Sequence, residues 1–151
     1  MRYKKIAAGA LIAAVYAVLT IVLAPISYGP VQFRVSEALT LLPFVMPEAV
    51  PGLFFGCVIA NFFGGFGLVD MIAGSLATLL AAVCTMKSKN IFIAAAWPVI
   101  FNMIIIGVML HILINAPLLL TMLYVALGEA GVCYIIGIPL IKLLQSRGLI
   151  G

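Results

Sequence analysis

Six apolar runs, separated by short breaks rich in proline, glycine or lysine, organise the chain. The first, from about Ile6 to Pro25, has roughly the 20 residues that a hydrocarbon core ~30 Å thick requires, and predicts a membrane-spanning helix. Pro25, Gly29 and Pro30 end it. The second and third runs, about Ser36 to Met46 and Ala49 to Phe63, are punctuated by Pro43, Pro47 and Pro51 and are short against the ~20 residues of a straight span. They read as two short, tilted or broken spans, or as one re-entrant hairpin. Either choice leaves the sidedness of the later segments unchanged. A turn at Gly64, Gly65 and Gly67 leads to a fourth helix, about Leu68 to Met86. Lys87 to Asn90 form a polar return, and a fifth helix runs from about Ile91 to Leu113. Asn115-Ala116-Pro117 makes the last turn, with Pro117 at a helix start. The sixth helix, about Pro117 to Gln145, is longer than one span needs, and Pro139 is expected to kink it. The pattern predicts one all-α integral membrane domain over residues 1–151.

Composition rules out the soluble alternative. Hydrophobic residues make up 66% of the chain and charged residues 8%, where a soluble domain carries about a quarter charged, so too few polar groups exist to cover a water-facing surface. The placement of charge then orients the helices. Arg2, Lys4 and Lys5 precede the first run, Lys87 and Lys89 lie in the middle return, and Lys142 and Arg147 close the chain. Seven of the eight basic residues thus fall on one side, which the positive-inside rule makes cytoplasmic, together with both termini. The loop after the first helix and the Gly64 turn are then outside. No basic surface remains for nucleic acid. The opening MRYKK and its apolar run imitate a signal peptide. The run to Ile26 is too long for an h-region and no clear cleavage site follows, so it reads as a retained helix. Cys57, Cys84 and Cys133 have no metal-ligand spacing and read as small buried hydrophobes.

Against this background the stretch Tyr28 to Thr40, YGPVQFRVSEALT, stands out. Arg34 and Glu37 lie three apart, neighbouring positions on one helix face, in membrane-type sequence where charge marks function by default. Ser36 is a candidate N-cap for a helix starting at Glu37. Gln32, Asn61 and Asp70 join them on the outward half, with Asn102 and Glu129 deeper. Glu129 lies 12 residues beyond Pro117, ~18 Å along a helix, near mid-bilayer where a carboxylate is most costly. These groups predict an outward-opening pocket for a small ligand bearing N–H donors or a positive charge, since carboxylates accept hydrogen bonds and stabilise cations. The competing reading pairs Arg34 with Glu37 and uses the other groups to satisfy backbone at broken helices; an Asp in a first helical turn, as Asp70 is, also suits the helix dipole. No catalytic constellation, metal motif or ATP-binding loop is present, no cofactor is implied, and His111 reads as structural. Small residues recur every four positions in the first helix, at Gly9, Ala13 and Ala17 and at Ala10 and Ala14, and Gly52 and Gly56 form a GxxxG; both allow close helix packing.

The segments ALIAAVYAVLT, LAPISYGPVQFRVSEALTLLPF, PGLFFGCVIAN and GLVDMIAGSLATLLAA are similar to those of the QueT family, and QFRVSEAL is the most specific of them. The resemblance covers nearly the whole chain. That family comprises predicted queuosine-precursor transporters, substrate-binding S components of energy-coupling factor (ECF) importers. The resemblance implies a six-transmembrane-helix S-component bundle in a prokaryotic plasma membrane. It implies partnership with a transmembrane T component and two cytoplasmic ATPases, and no enzymatic activity of this chain's own. Its ligand would be a 7-deazaguanine such as queuine or its aminomethyl precursor. Glu37, Asp70, Asn61, Asn102, Glu129 and Gln32 would contact the ligand, with Arg34 positioning Glu37 and an aromatic such as Phe33, Phe62, Phe66 or Trp97 stacking on the ring. The small-residue face of the first helix, Ala10 and Ala14 with Gly9, Ala13 and Ala17 alongside, would meet the T component, and the outer loops would gate the pocket. An S component for another vitamin, such as riboflavin, and a ligand-free membrane assembly protein are the alternatives.

Overall fold

The computed structural model describes residues 2–150, and all its regular structure is helical. Helix α1 spans Arg2–Val22 and a single turn, α2, spans Ala24–Ser27. A 3-10 helix follows over Val35–Phe44, then α3 Ala49–Phe62, α4 Gly67–Met86, α5 Ile91–Ile114 and α6 Leu118–Ala130. The chain continues without a break through a π-helical stretch, Gly131–Gly137, into α7, Ile138–Ser146. Four helical units are long and apolar enough to cross a membrane: α1, α4, α5 and the 29-residue run Leu118–Ser146. Large apolar side chains such as Leu11, Val22, Ile72, Leu119 and Ile135 are exposed on their outer faces, as lipid contact requires.

Consecutive helices are neighbours: α1 packs on α3, α3 on α4, α4 on α5 and α5 on α6. The 3-10 helix lies inside this ring and touches α1, α3, α4, α5, α7 and the π-helical stretch. The expected helix from Ser36 to Met46 is therefore a 3-10 helix, a correction with a local cause. Pro43 inside it has no amide to donate, and the Thr40 hydroxyl donates to the Glu37 carbonyl three residues back, a spacing that matches the 3-10 pitch. At ~2.0 Å per residue its 10 residues rise ~20 Å, one-third farther than the same residues in an α-helix. Ser36 is not the cap: Arg34 holds that position in extended backbone, and the Ser36 hydroxyl bonds Thr20 of α1 at 2.6 Å.

The small residues of α1 divide between two faces. A Cβ on Gly52 would run into the backbone of Gly9, and one on Gly56 would meet the Ala13 carbonyl at 2.8 Å. Gly9 and Ala13 thus pack against α3, and Ala17 is buried. Ala10 and Ala14 face outward. Two prolines are absorbed in different ways. Pro98 deprives the Ala94 carbonyl of its usual amide partner, and the Thr85 hydroxyl of α4 donates to that carbonyl at 3.1 Å instead. At Pro139 the adjustment is spread along the chain. The turns before it widen into π geometry, and the Ile138 amide donates to the Cys133 carbonyl five residues back.

Candidate functional site

The polar centre is built by a segment that leaves the surface after α2. Pro30 occupies a tight turn closed by the Gln32 amide on the Gly29 carbonyl at 3.0 Å. Gln32 then adopts a left-handed backbone, φ 53°, rare for a residue with a side chain. The Arg34 amide closes back on the Gln32 carbonyl at 2.8 Å. Gly128 of α6 makes this inward path possible, because a Cβ there would run into the Val31 carbonyl.

The path delivers Arg34 into the interior at 3% exposure. Its Nη2 lies 3.9 Å from Oδ1 of Asp70, and the Tyr28 ring covers the guanidinium at 5.5 Å. At 3.9 Å the two charges attract but do not share a hydrogen bond, so each keeps bonding capacity. Asp70 sits in the first turn of α4 and is buried. Asn61, in the last turn of α3, donates from Nδ2 to the Asp70 carbonyl at 3.0 Å. Gly74 leaves room for that amide, since a Cβ would overlap it. Glu37 is fully buried; the Tyr16 hydroxyl of α1 donates to its Oε1, while its Oε2 has no partner. Glu129, at the end of α6, is 2% exposed and lies within electrostatic reach of Glu37 and Arg34.

The competing reading, in which Arg34 pairs with Glu37, does not describe the geometry. Arg34 precedes the 3-10 helix in extended backbone and so shares no helix face with Glu37. Its ionic partner is Asp70, and Glu37 is held by Tyr16. Among the described residues eight buried side-chain oxygen or nitrogen atoms lack a hydrogen-bond partner. Six belong to this cluster: Arg34 Nε and Nη2, Glu37 Oε2, Asn61 Oδ1, Asp70 Oδ1 and Glu129 Oε2. Each such atom costs about 1–3 kcal/mol of stability, more for charged groups.

Two of the predicted residues stand outside this cluster. Asn102 is buried in α5, but its Nδ2 donates to the Pro98 carbonyl of its own helix at 3.0 Å. Gln32 lines a separate cavity of about 280 Å³, shared by Tyr28, Phe66, Leu110, Pro117 and Tyr124. This cavity forms a vestibule whose wall includes Tyr28, the residue that covers Arg34. Of the candidate stacking aromatics only Phe66 lines it. Phe62 is exposed, Phe33 packs toward Gly131, and Trp97 bonds Ser88 at the lysine-bearing end. A further cavity, about 480 Å³, lies elsewhere, between α1 and α3, and is lined mainly by Gly9, Ala10, Ala13, Gly52 and Phe55.

The sequence model of the QueT transporter family matches residues 6–146. The chain belongs to the QueT transporter family. A relative, the queuosine precursor transporter QueT of Lactococcus lactis subsp. cremoris (strain MG1363), is 45% identical over 73 residues, which cover 47% of this chain and 43% of that protein. The match thus spans less than half the length of that relative. No solved structure matches the chain. For this QueT-family member, residue-by-residue reading missed Tyr16 and Tyr28. Tyr16 had a signal: it is the one phenol in the middle of an otherwise apolar helix, and a buried phenol needs a hydrogen-bond partner.

Proposed function

We propose that this chain is the substrate-binding S component of an ECF-type importer and takes up a queuosine precursor, a 7-deazaguanine. The observation that carries the reading is the cluster of six unpartnered buried atoms on Arg34, Glu37, Asn61, Asp70 and Glu129. They combine three carboxylates with one guanidinium and one amide. A guanine-like edge offers an N–H and an amino group to one carboxylate, while its carbonyl accepts from Arg34 or Asn61. An aminomethyl cation satisfies a second carboxylate. Gln32 and Tyr28 meet the ligand first, in the vestibule. Asn102 serves the α5 helix and takes no part. The similarity to the queuosine precursor transporter of Lactococcus lactis favours the substrate class.

The remaining elements of the proposal follow from charge placement and family resemblance. The chain forms a single domain that crosses a prokaryotic plasma membrane six times, the 3-10 helix and α3 acting as short spans, with both termini cytoplasmic. The outward Ala10 and Ala14 face of α1 meets the T component, and two cytoplasmic ATPases supply the energy. The test is thermal unfolding of the detergent-purified chain with queuine, its aminomethyl and cyano precursors, guanine and riboflavin. A ligand at 100-fold over its dissociation constant adds ~2.7 kcal/mol. The expected result is a selective shift with a 7-deazaguanine that is lost in Glu129→Gln. A shift with riboflavin alone overturns the substrate, and no shift with any of them overturns the reading.

A further inference from the structure

The end of the bundle that carries Lys87, Lys89, Lys142 and Arg147 has a cavity of its own, about 240 Å³ in volume. Phe44 of the 3-10 helix, Lys89, Asn90 and Phe92 at the start of α5, and Lys142 and Gln145 of α7 line it. Two cations from different elements therefore face one small space. Lys142 Nζ is held 5.7 Å from the centre of the Phe92 ring, within cation–π range. Asn90 caps α5 by accepting from the Phe92 amide at 2.7 Å, which fixes the rim of the cavity beside Lys89.

No carboxylate side chain of this chain neutralises that pair. The sequence holds four acidic residues. Glu37, Asp70 and Glu129 are buried in the polar centre, and Glu48 lies beside Lys5 at 3.9 Å. Two lysines lining one cavity leave its positive charge unbalanced within the chain, and an external anion balances it. The lining is mixed in a way that selects among anions. Phe44, Ile91 and Phe92 give it an apolar side, while the lysines and the Asn90 and Gln145 amides give it a polar side. A phosphate at the membrane edge, with its glycerol and acyl carbons against the aromatics, matches both sides.

We propose that this cavity binds the phosphate of an anionic lipid, clamped between Lys89 and Lys142. The site is independent of the substrate reading above. The test is thermal unfolding of the delipidated, detergent-purified chain titrated with dioleoyl phosphatidylglycerol, dioleoyl phosphatidylcholine or sodium phosphate. The wild type is compared with Lys89→Gln/Lys142→Gln and with a charge-matched control, Arg2→Gln/Lys4→Gln. All four positions are exposed, so folding is retained. Phosphatidylglycerol is expected to bind the wild type in preference to phosphatidylcholine, to lose about tenfold or more in affinity in the cavity variant, and to be unaffected in the control. A single Lys142→Gln change gives an intermediate loss. Equal losses in the two double variants, or no preference between the lipids, overturn the proposal. Equal stabilisation by sodium phosphate, lost only in the cavity variant, keeps the phosphate site but overturns its lipid occupant.

Discussion

Asn102 in α5 and Asn61 at the end of α3 are both buried amides in apolar helices, and each donates one hydrogen bond to a main-chain carbonyl. Asn102 turns back one turn along its own helix to Pro98; Asn61 also bonds one turn back, to Cys57 Sγ, but it reaches Asp70 on the next helix as well and leaves its buried Oδ1 open. The same division runs through the molecule. Toward the Lys87–Asn90 return, polar side chains close on nearby groups: Thr85 on Ala94, Ser88 on Cys84 and Trp97 on Ser88. Around Arg34 polar atoms stay open although their residues are more deeply buried than Ser88 or Trp97. Closed groups repay their desolvation within the fold. Open ones do not, at about 1–3 kcal/mol each, so the five residues that carry them lower the stability of the fold, and it is this cluster that the proposed function assigns to the ligand.

The largest test of this contrast is Arg34→Met. It leaves Asp70 buried without its counter-charge, and is expected to destabilise the chain by about 3–5 kcal/mol in denaturant unfolding in detergent. A loss below about 1 kcal/mol would show that the Arg34–Asp70 approach matters little. Next comes Gly74→Ala, whose added methyl displaces the Asn61 amide. It is expected to cost about 1–3 kcal/mol and to weaken ligand binding, because the amide that moves is an open one. The smallest is Thr85→Val on the closed side. It leaves the Ala94 carbonyl without its donor and costs about 1 kcal/mol, with ligand-dependent stabilisation unchanged.

Much of this architecture was legible in the residues, and the failures have physical reasons. The long apolar runs marked α1, α4, α5 and the Leu118–Ser146 unit, because lipid admits only backbone that satisfies itself. The GxxxG at Gly52 and Gly56 marked a close helix contact, but spacing could not say that α3 packs on Gly9 and Ala13 while Ala10 and Ala14 stay outward. That split follows from the 100° rotation per residue together with the choice of neighbour, and only the second needs the fold. Arg34 and Glu37 looked like partners because helical spacing was assumed through both. The helix starts after Arg34, and one extended residue redirects the side chain to Asp70. The π-helical stretch left a trace only in Pro139, since a missing amide announces a disturbance without saying how neighbouring turns absorb it. Tyr16 and Tyr28 escaped because aromatic residues in apolar runs ordinarily read as packing.

The most direct test of the contrast compares Asn61→Ala with Asn102→Ala, each unfolded thermally with and without the aminomethyl 7-deazaguanine. Both variants are expected to lose about 1 kcal/mol of basal stability. Asn102→Ala keeps the full ligand-dependent shift of the wild type, and Asn61→Ala loses it. Equal shifts in the two variants, or a shift lost only in Asn102→Ala, would contradict the assignment of the open polar cluster as the binding site.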